Sequence, residues 1–423
     1  MLSIGLMSGT SMDGIDAALI KTDGKNHIEE IANISLPYDS YFKILLKAAE
    51  FAVKKSEGNL SIANTQFLFH LEEYLKSELN ISTLELSETK KKLLEHFHKK
   101  DNALISLDQI IRHSTDLHYE AVKLLLIKSH LQPKAIDVIG YHGQTLFHAP
   151  KKNITLQVGY GDILATKTGI IVINNFRSND VMSGGQGAPF APLYHQALAV
   201  RDHLFPLAVV NCGGISNITV IQGQSENQVL GFDTGPGNGL IDRLVKLHTH
   251  GRESMDANGK YGSQGNIHEN ILDLLYQTCI QINGENFFHM LPPKSLDLGD
   301  LKLIPELVDL PFNDACATLE AFTADSIVYA LKHIHTDIPS QWILAGGGWH
   351  NPMILDQFKT RLQKHYGQQM KIRIASEIGW NSAAIEAQTF AYLAVRSLQN
   401  MPISYPGITQ VPKPLCGGVI HHP

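Results

Sequence analysis

The opening stretch of the chain constrains its fold most. Ser3-Ile4-Gly5-Leu6 is apolar and runs into Met7-Ser8-Gly9-Thr10-Ser11-Met12-Asp13-Gly14-Ile15-Asp16, then into Ala17-Ala18-Leu19-Ile20. Two apolar segments around a short Gly/Ser/Asp turn predict a strand, a tight hairpin and a second strand. Gly9 and Gly14 open the left-handed region to the backbone, Thr10 and Ser11 bring hydroxyls, and Asp13 and Asp16 bring carboxylates. Such a turn can hold phosphate oxygens on its N–H groups and hydroxyls, and a hydrated Mg²⁺ on its carboxylates. A plain surface hairpin has the same composition, so both readings stand on these residues alone. A Walker loop is excluded, because no Gly-Lys-Ser/Thr follows.

The pattern returns later. A strand over Phe205–Val210 enters the turn Asn211-Cys212-Gly213-Gly214-Ile215-Ser216-Asn217, and Ile218–Ile221 resumes extended structure. A strand over Val229–Phe232 then delivers Asp233-Thr234-Gly235-Pro236-Gly237-Asn238-Gly239 to a helix over Leu240–His248. This predicts a phosphate-facing helix N-terminus, with Asp233 as a metal-water contact. The buried-type strand Gln341–Ala345 opens into Gly346-Gly347-Gly348, a flat seat for a purine or its ribose, before a helix over Met353–Tyr366.

Between these loops the periodicity predicts strands over His27–Leu36, Ala135–Gly140, Thr155–Gly159, Gly169–Ile173 and Ile372–Ala375. Helices are expected over Tyr41–Val53, Asp162–Thr168, Asn313–Leu331 and Ala383–Leu398, the last containing Glu386, and through most of Asn59–Ile127. The charged run Glu88–Lys100 reads as a solvated helix face, and the Pro/Gly-rich tail after Met401 as irregular surface structure.

Two clusters carry chemistry. Tyr141-His142-Gly143-Gln144-Thr145 leaves the C-terminal end of a strand, where α/β sheets place ligands, so His142 and Gln144 are candidate substrate contacts. Phe176-Arg177-Ser178-Asn179-Asp180 follows another strand, with Ser183-Gly184-Gly185-Gln186-Gly187-Ala188-Pro189 behind it. Arg177 can neutralise phosphate or clamp a carboxylate, and Asp180 can accept a proton. A structural Arg–Asp pair is the bland alternative. Glycines so close behind the pair favour ligand approach. Glu320, inside a helix, suits a solvent-facing glutamate and a substrate contact equally.

A chain of 423 residues, 43% of them hydrophobic, has room for two or three cored domains. A net charge of −6 and the lack of any basic run interleaved with aromatics argue against a nucleic-acid partner. The four cysteines form no Cys-x-x-Cys pair, so neither zinc nor a disulfide framework is indicated, and the 21 histidines show no ligand spacing with an acidic partner. With neither a signal-like start nor a membrane-length apolar run, a soluble cytoplasmic protein acting on a small molecule is expected.

The order of the two strand-turn-strand loops, the Asp-Thr-Gly loop and the Gly-Gly-Gly turn resembles the actin, hexokinase and heat-shock-chaperone ATPase superfamily. Within it, Gly5 to Asp16, His142-Gly143-Gln144-Thr145, Phe176-Arg177-Ser178 with Asp180-Val181, Gly184 to Pro189, and Asn211 to Asn217 together resemble the anhydro-N-acetylmuramic acid kinase family along nearly the whole chain. The resemblance implies an α/β protein of two ribonuclease-H-like lobes, each a mixed five-stranded sheet flanked by helices, with an ATP cleft between them. The first lobe would span 1–204 plus 376–423 and the second 205–375. It further implies an enzyme that uses ATP and Mg²⁺ to open the anhydro sugar with water and phosphorylate its six-hydroxyl, and a homodimer. Carried onto this sequence, Asp180 becomes the base, at the end of a strand. Gly9, Thr10, Ser11, Met12, Asp13, Gly14, Ile15, Asp16, Gly213, Gly214, Asp233, Gly235, Gly237, Gly346, Gly347 and Gly348 bind ATP. Asp13, Asp16 and Asp233 hold Mg²⁺ through water, and His142, Gln144, Arg177, Gln186 and Glu320 place the sugar. Many members carry aspartate where this chain has Asn175, and Lys-Ser-Thr-Gly-Arg where it has Lys294-Ser295-Leu296-Asp297-Leu298. A simple hydroxyl kinase and a non-catalytic actin-like nucleotide switch are the alternatives.

Overall fold

Alternation in the opening hairpin decides which face of the first sheet becomes a core. In the computed structural model, which describes residues 1–97, 105–282, 284–367 and 369–423, β1 (Leu2–Ser8) and β2 (Gly14–Thr22) pair antiparallel. They turn Ile4, Leu6, Ile15, Ala17 and Leu19 into one buried cluster. The helix Ser40–Lys55 covers that face with Phe42, Leu45, Leu46, Ala49 and Val53, started by Asp39, whose carboxylate accepts the Tyr41 and Phe42 N–H groups. A second helix, Leu107–Ser129, opens on a Ser106/Gln109 capping box and adds Ile110, Ala121, Val122 and Leu125. The opposite face is closed by the helix Ile385–Leu398. It lies so close that a side chain at Gly5 would put its Cβ 1.8 Å from the Ala387 carbonyl oxygen, and one at Gly140 2.0 Å from that of Phe390.

The remaining strands of this sheet are β3 (Ile28–Pro37), β4 (Val138–Ala149), β5 (Ile154–Val158), β6 (Val172–Asn174) and the C-terminal Val419–His421. β3 pairs antiparallel with β2, while β4 runs parallel to β1 and β6 parallel to β4. The order β3-β2-β1-β4-β6 is the mixed ribonuclease-H arrangement, but the sheet has seven strands rather than the expected five. The two extra strands are β5, which folds back on β4, and Val419–His421, which pairs antiparallel with β6. The tail after Met401 is therefore not irregular surface. Buried Arg396 anchors it, donating to the Pro402 carbonyl at 2.7 Å and the Tyr405 hydroxyl at 2.9 Å. Most of Glu88–Lys100 lies on the helix Thr83–Phe97, while residues 98–100 fall outside the described residues.

The second unit repeats the topology. β7 (Leu207–Cys212), β8 (Ile215–Ile221) and β9 (Val229–Pro236) form an antiparallel meander. Past a small hairpin of β10 (Gln281–Ile282) and β11 (Glu285–Asn286), β12 (Gln341–Ala345) joins parallel to β7 and β13 (Lys371–Ile374) parallel to β12. The order β9-β8-β7-β12-β13 gives the five-stranded sheet expected. The long helix Phe312–Ala330 buries Leu319, Phe322 and Ile327 in the core beneath it.

The units comprise 1–187, 384–405 and 411–423, and 188–383 with 406–410. The expected boundaries at 204/205 and 375/376 thus move to 187/188 and 383/384. Two contacts explain the shift. Gly231 packs under the Pro192 ring, which draws the helix Ala191–Arg201 to β9, and the buried Trp380 indole donates to Asp202 at 2.7 Å. No helix among the described residues is long and apolar enough to cross a membrane.

Candidate functional site

The first turn is tighter than its glycines suggest. Met12 N–H donates to the Gly9 carbonyl at 3.1 Å, and it is Met12, at φ 56°, that takes the left-handed conformation, while neither Gly9 nor Gly14 does. The Met12 side chain is buried, leaving Thr10, Ser11 and Asp13 exposed at the tip. Gly14 is needed instead for close approach, its Cα facing the Leu36 carbonyl of β3. Asp13 and Asp16 do not converge. Asp13 reaches Lys43 at 3.3 Å, whereas Asp16 accepts from Ser35 and lies close enough to Glu386 for their charges to interact.

The motif His142–Thr145 lies within β4 rather than beyond it, because β5 continues the pairing as far as Ala149. His142 is buried. Its Nδ1 donates to the Gly143 carbonyl at 2.8 Å, and its Nε2 accepts from Arg177 Nε at 3.1 Å. Burial first, and then the Arg177 charge, hold its pKa well below the ordinary value, so the ring is neutral. With both nitrogens engaged, His142 orients Arg177. Gln144 is also fully buried, and its amide serves the first turn.

Asp180 sits on the short helix Ser178–Met182, not at a strand end. Its Oδ1 accepts the Gly187 N–H at 2.6 Å, and the Gly187 carbonyl accepts Arg177 Nη1 at 2.6 Å. One residue, Gly187, thus ties base candidate to cation through its N–H and its carbonyl. The glycines behind the pair are sterically required: a Cβ at Gly185 would stand 2.2 Å from Asp180 Oδ1. Gln186 is half-buried in the same loop. Burial lowers the Arg177 pKa to about 10, against the charges of Glu386 and Asp180 that favour its cation, and it stays charged at neutral pH.

Three residues joined to this cluster or to the first turn had no distinguishing mark in the sequence. His148 lies beside Arg177 and Gly187, its pKa pushed down to about 4 by burial and then by Arg177. Glu386, in the first turn of its helix, is reached by solvent yet set among protein atoms. Its carboxyl is raised by desolvation first and by Asp16 second, with Arg177 opposing. Tyr38 holds the first turn through its backbone N–H, on the Asp13 carbonyl at 2.9 Å. Among the described residues no group of three His, Cys, Asp or Glu side chains forms a metal cage. Two neighbouring carboxylates are nonetheless the hard oxygen donor set a hydrated Mg²⁺ takes, so the Asp16/Glu386 pair fits that ion.

In the second unit the glycines serve packing as much as ligand approach. The N–H groups of Gly237, Asn238 and Gly239 donate to the carbonyls of Gly213 and Gly214 at 2.7 to 3.0 Å, so this helix start does not present them to phosphate as expected. Gly235 lies inside β9 with Asp233 and is not in a loop. Asp233 Oδ2 accepts the Leu296 N–H at 2.7 Å, which commits that oxygen to the 294–297 loop. Burial, against the Leu296 N–H, raises its pKa to about 7. Gly346 and Gly348 press against Asn211 and Cys212, while a Cβ at Gly347 would meet nothing. Glu320 is fully buried, so the solvent-facing reading does not describe it. Its Oε1 accepts from Asn351 Nδ2 at 2.6 Å.

A model of the family described as anhydro-N-acetylmuramic acid kinase matches residues 1–66 and 68–423. The chain belongs to this family. Anhydro-N-acetylmuramic acid kinases of Rhizorhabdus wittichii and Zymomonas mobilis are each 38% identical to it, over all of this chain and over 99% and 100% of their own lengths. That of Bradyrhizobium diazoefficiens is 35% identical over the full length of both. Among solved structures, the activator of the 2-hydroxyisocaproyl-CoA dehydratase from Clostridium difficile with bound ADPNP aligns over 95% of this chain and 97% of its own, at 11% identity and a TM-score of 0.39.

Proposed function

We propose that the chain uses ATP to open 1,6-anhydro-N-acetylmuramic acid with water and to phosphorylate its six-hydroxyl, giving N-acetylmuramic acid 6-phosphate and ADP in the recycling of cell-wall sugar. The observation that carries the reading is Asp180, buried, with Oδ1 fixed by the Gly187 N–H and its loop tied to Arg177. A fixed carboxylate beside a retained cation suits the reaction. Asp180 takes a proton from water as the water oxygen bonds to the anomeric carbon. The bond from that carbon to the bridging oxygen breaks, its electron pair stays on the oxygen, and that oxygen bonds to the γ-phosphorus as ADP departs.

Arg177, oriented by His142 and the Gly187 carbonyl, neutralises charge near the base and the sugar. Thr10 and Ser11 offer the exposed hydroxyls and N–H groups of the first turn to phosphate. In the second unit Gly213, Gly214 and Gly347 are the ATP contacts this reading retains. Asp16, with Glu386, would hold Mg²⁺ through water, and the ion would neutralise charge on the triphosphate. The same reading makes the protein cytoplasmic, where ATP is supplied. The resemblance adds a homodimer, which sedimentation would test. Incubating the purified protein with ATP, Mg²⁺ and the anhydro sugar, then weighing the product, tests the function: the sugar must gain one water and one phosphoryl group.

A further inference from the structure

The first turn is held at both ends by one residue that plays no part in the chemistry above. Tyr38 follows the end of β3 and is buried, its ring edge-on to Phe42 at 5.0 Å. Its backbone N–H donates to the Asp13 carbonyl at 2.9 Å, at the far end of the turn. Its hydroxyl lies 2.9 Å from Ser8 Oγ, which lies 2.5 Å from Gln144 Oε1, and Gln144 Nε2 is 3.1 Å from the Gly9 carbonyl, at the near end.

The direction of this relay follows from donor count. Gln144 Nε2 must donate to the Gly9 carbonyl, so Oε1 is the acceptor and Ser8 donates to it. The Ser8 oxygen then receives the Tyr38 proton. Burial raises the Tyr38 pKa to about 12, which keeps that proton in place at working pH. Every member is buried, so none can exchange its partner for solvent without distorting the turn. Gly9 itself is loosely packed, a Cβ there meeting only Ser11 Oγ at 3.7 Å. Side-chain packing therefore does not fix its carbonyl; the Met12 N–H holds it from within the turn and the Gln144 amide ties it to the rest of the fold.

We propose that Tyr38 is a positioning residue for the nucleotide: through Ser8 and Gln144 it fixes the Gly9 carbonyl, and through its own N–H the Asp13 carbonyl, so that the turn between them is preformed for phosphate. The inference rests on the reading of this turn as an ATP contact. Tyr38→Phe removes only the hydroxyl, keeping the ring and the N–H. It should raise the Kd and KM for ATP about fivefold to tenfold, the worth of one neutral hydrogen bond, and leave the KM for the anhydro sugar unchanged. Ser8→Ala cuts the same relay one step on, so the double variant should be no worse than the poorer single variant.

A purely structural role would lower the melting temperature while sparing the ATP affinity of the folded protein. Unchanged ATP affinity in Tyr38→Phe, or losses that multiply in the double variant, would overturn the inference alone. A wild-type protein without measurable ATP affinity would overturn the ATP reading and this inference with it.

Discussion

Replacing Glu320 with glutamine should make the protein more stable, and increasingly so as the pH rises. Glu320 lies on the helix Phe312–Ala330 with no exposed surface. Its Oε1 has the Asn351 amide, but Oε2 has no hydrogen-bond partner and faces Gly262 so closely that a Cβ there would stand 1.8 Å away. Burial first, and the Asp256 carboxylate besides, push its pKa from 4.5 up to about 8, against the Asn351 amide that favours the charged form. The folded protein therefore binds a proton that the unfolded chain has lost. Stability from this group is full below the unfolded value and falls as pH rises towards the folded one.

The slope is about 1.4 kcal/mol per pH unit, so between pH 5 and pH 7.5 the wild type loses at most about 3 kcal/mol through this carboxyl. Glutamine does not titrate, its carbonyl can keep Asn351, and its amide can donate towards Asp256. Calorimetry of both proteins across that range should show the variant gaining on the wild type by roughly 6 to 12 °C in melting temperature. KM and kcat should not move, because the Glu320 carboxyl is held by Asn351 inside the second unit and has no part in the proposed reaction. A difference in stability that stays flat with pH, or a raised KM for the sugar, would refute the reasoning.

Asp180→Asn should retain ATP binding while turnover falls by about two or more orders of magnitude, read by a coupled ADP assay. Arg177→Lys supplies charge but cannot meet His142 Nε2 and the Gly187 carbonyl together, and kcat/KM for the sugar should drop about 100-fold. Gly185→Ala would drive a methyl into Asp180 Oδ1, so kcat should fall about tenfold or more while ATP affinity measured by calorimetry stays within about twofold. Glu386→Gln should raise the Mg²⁺ concentration needed for half-maximal rate, and chelation should abolish turnover of the wild type.

The sheets were legible because each begins with apolar alternation around a Gly/Ser turn, a local signal repeated at 3–20 and 205–221. Arg177 and Asp180 were legible for a related reason, the glycines that crowd them lying next to them in sequence. What stayed hidden is what distant pairing creates. β5 and Val419–His421 attach to the first sheet by contacts that no local pattern announces. His142 and Gln144 looked like loop residues because the strand through them is stabilised by β5, and their side chains turned out to serve Arg177 and Gly9. Glu386 reaches Asp16 only after its helix packs on the first hairpin. The helix start at Gly239 carries a phosphate signature, yet Gly213 and Gly214 take up its N–H groups, a backbone pairing invisible to residue type.

The most direct test of the account is turnover of the anhydro sugar in oxygen-18 water, with the product's label located by mass spectrometry. Activation of water by Asp180 predicts one heavy oxygen, on the anomeric carbon of the 6-phosphate. A phosphorylated product with no label at that carbon before it can exchange would contradict it, since the sugar would then have been phosphorylated without water opening the ring.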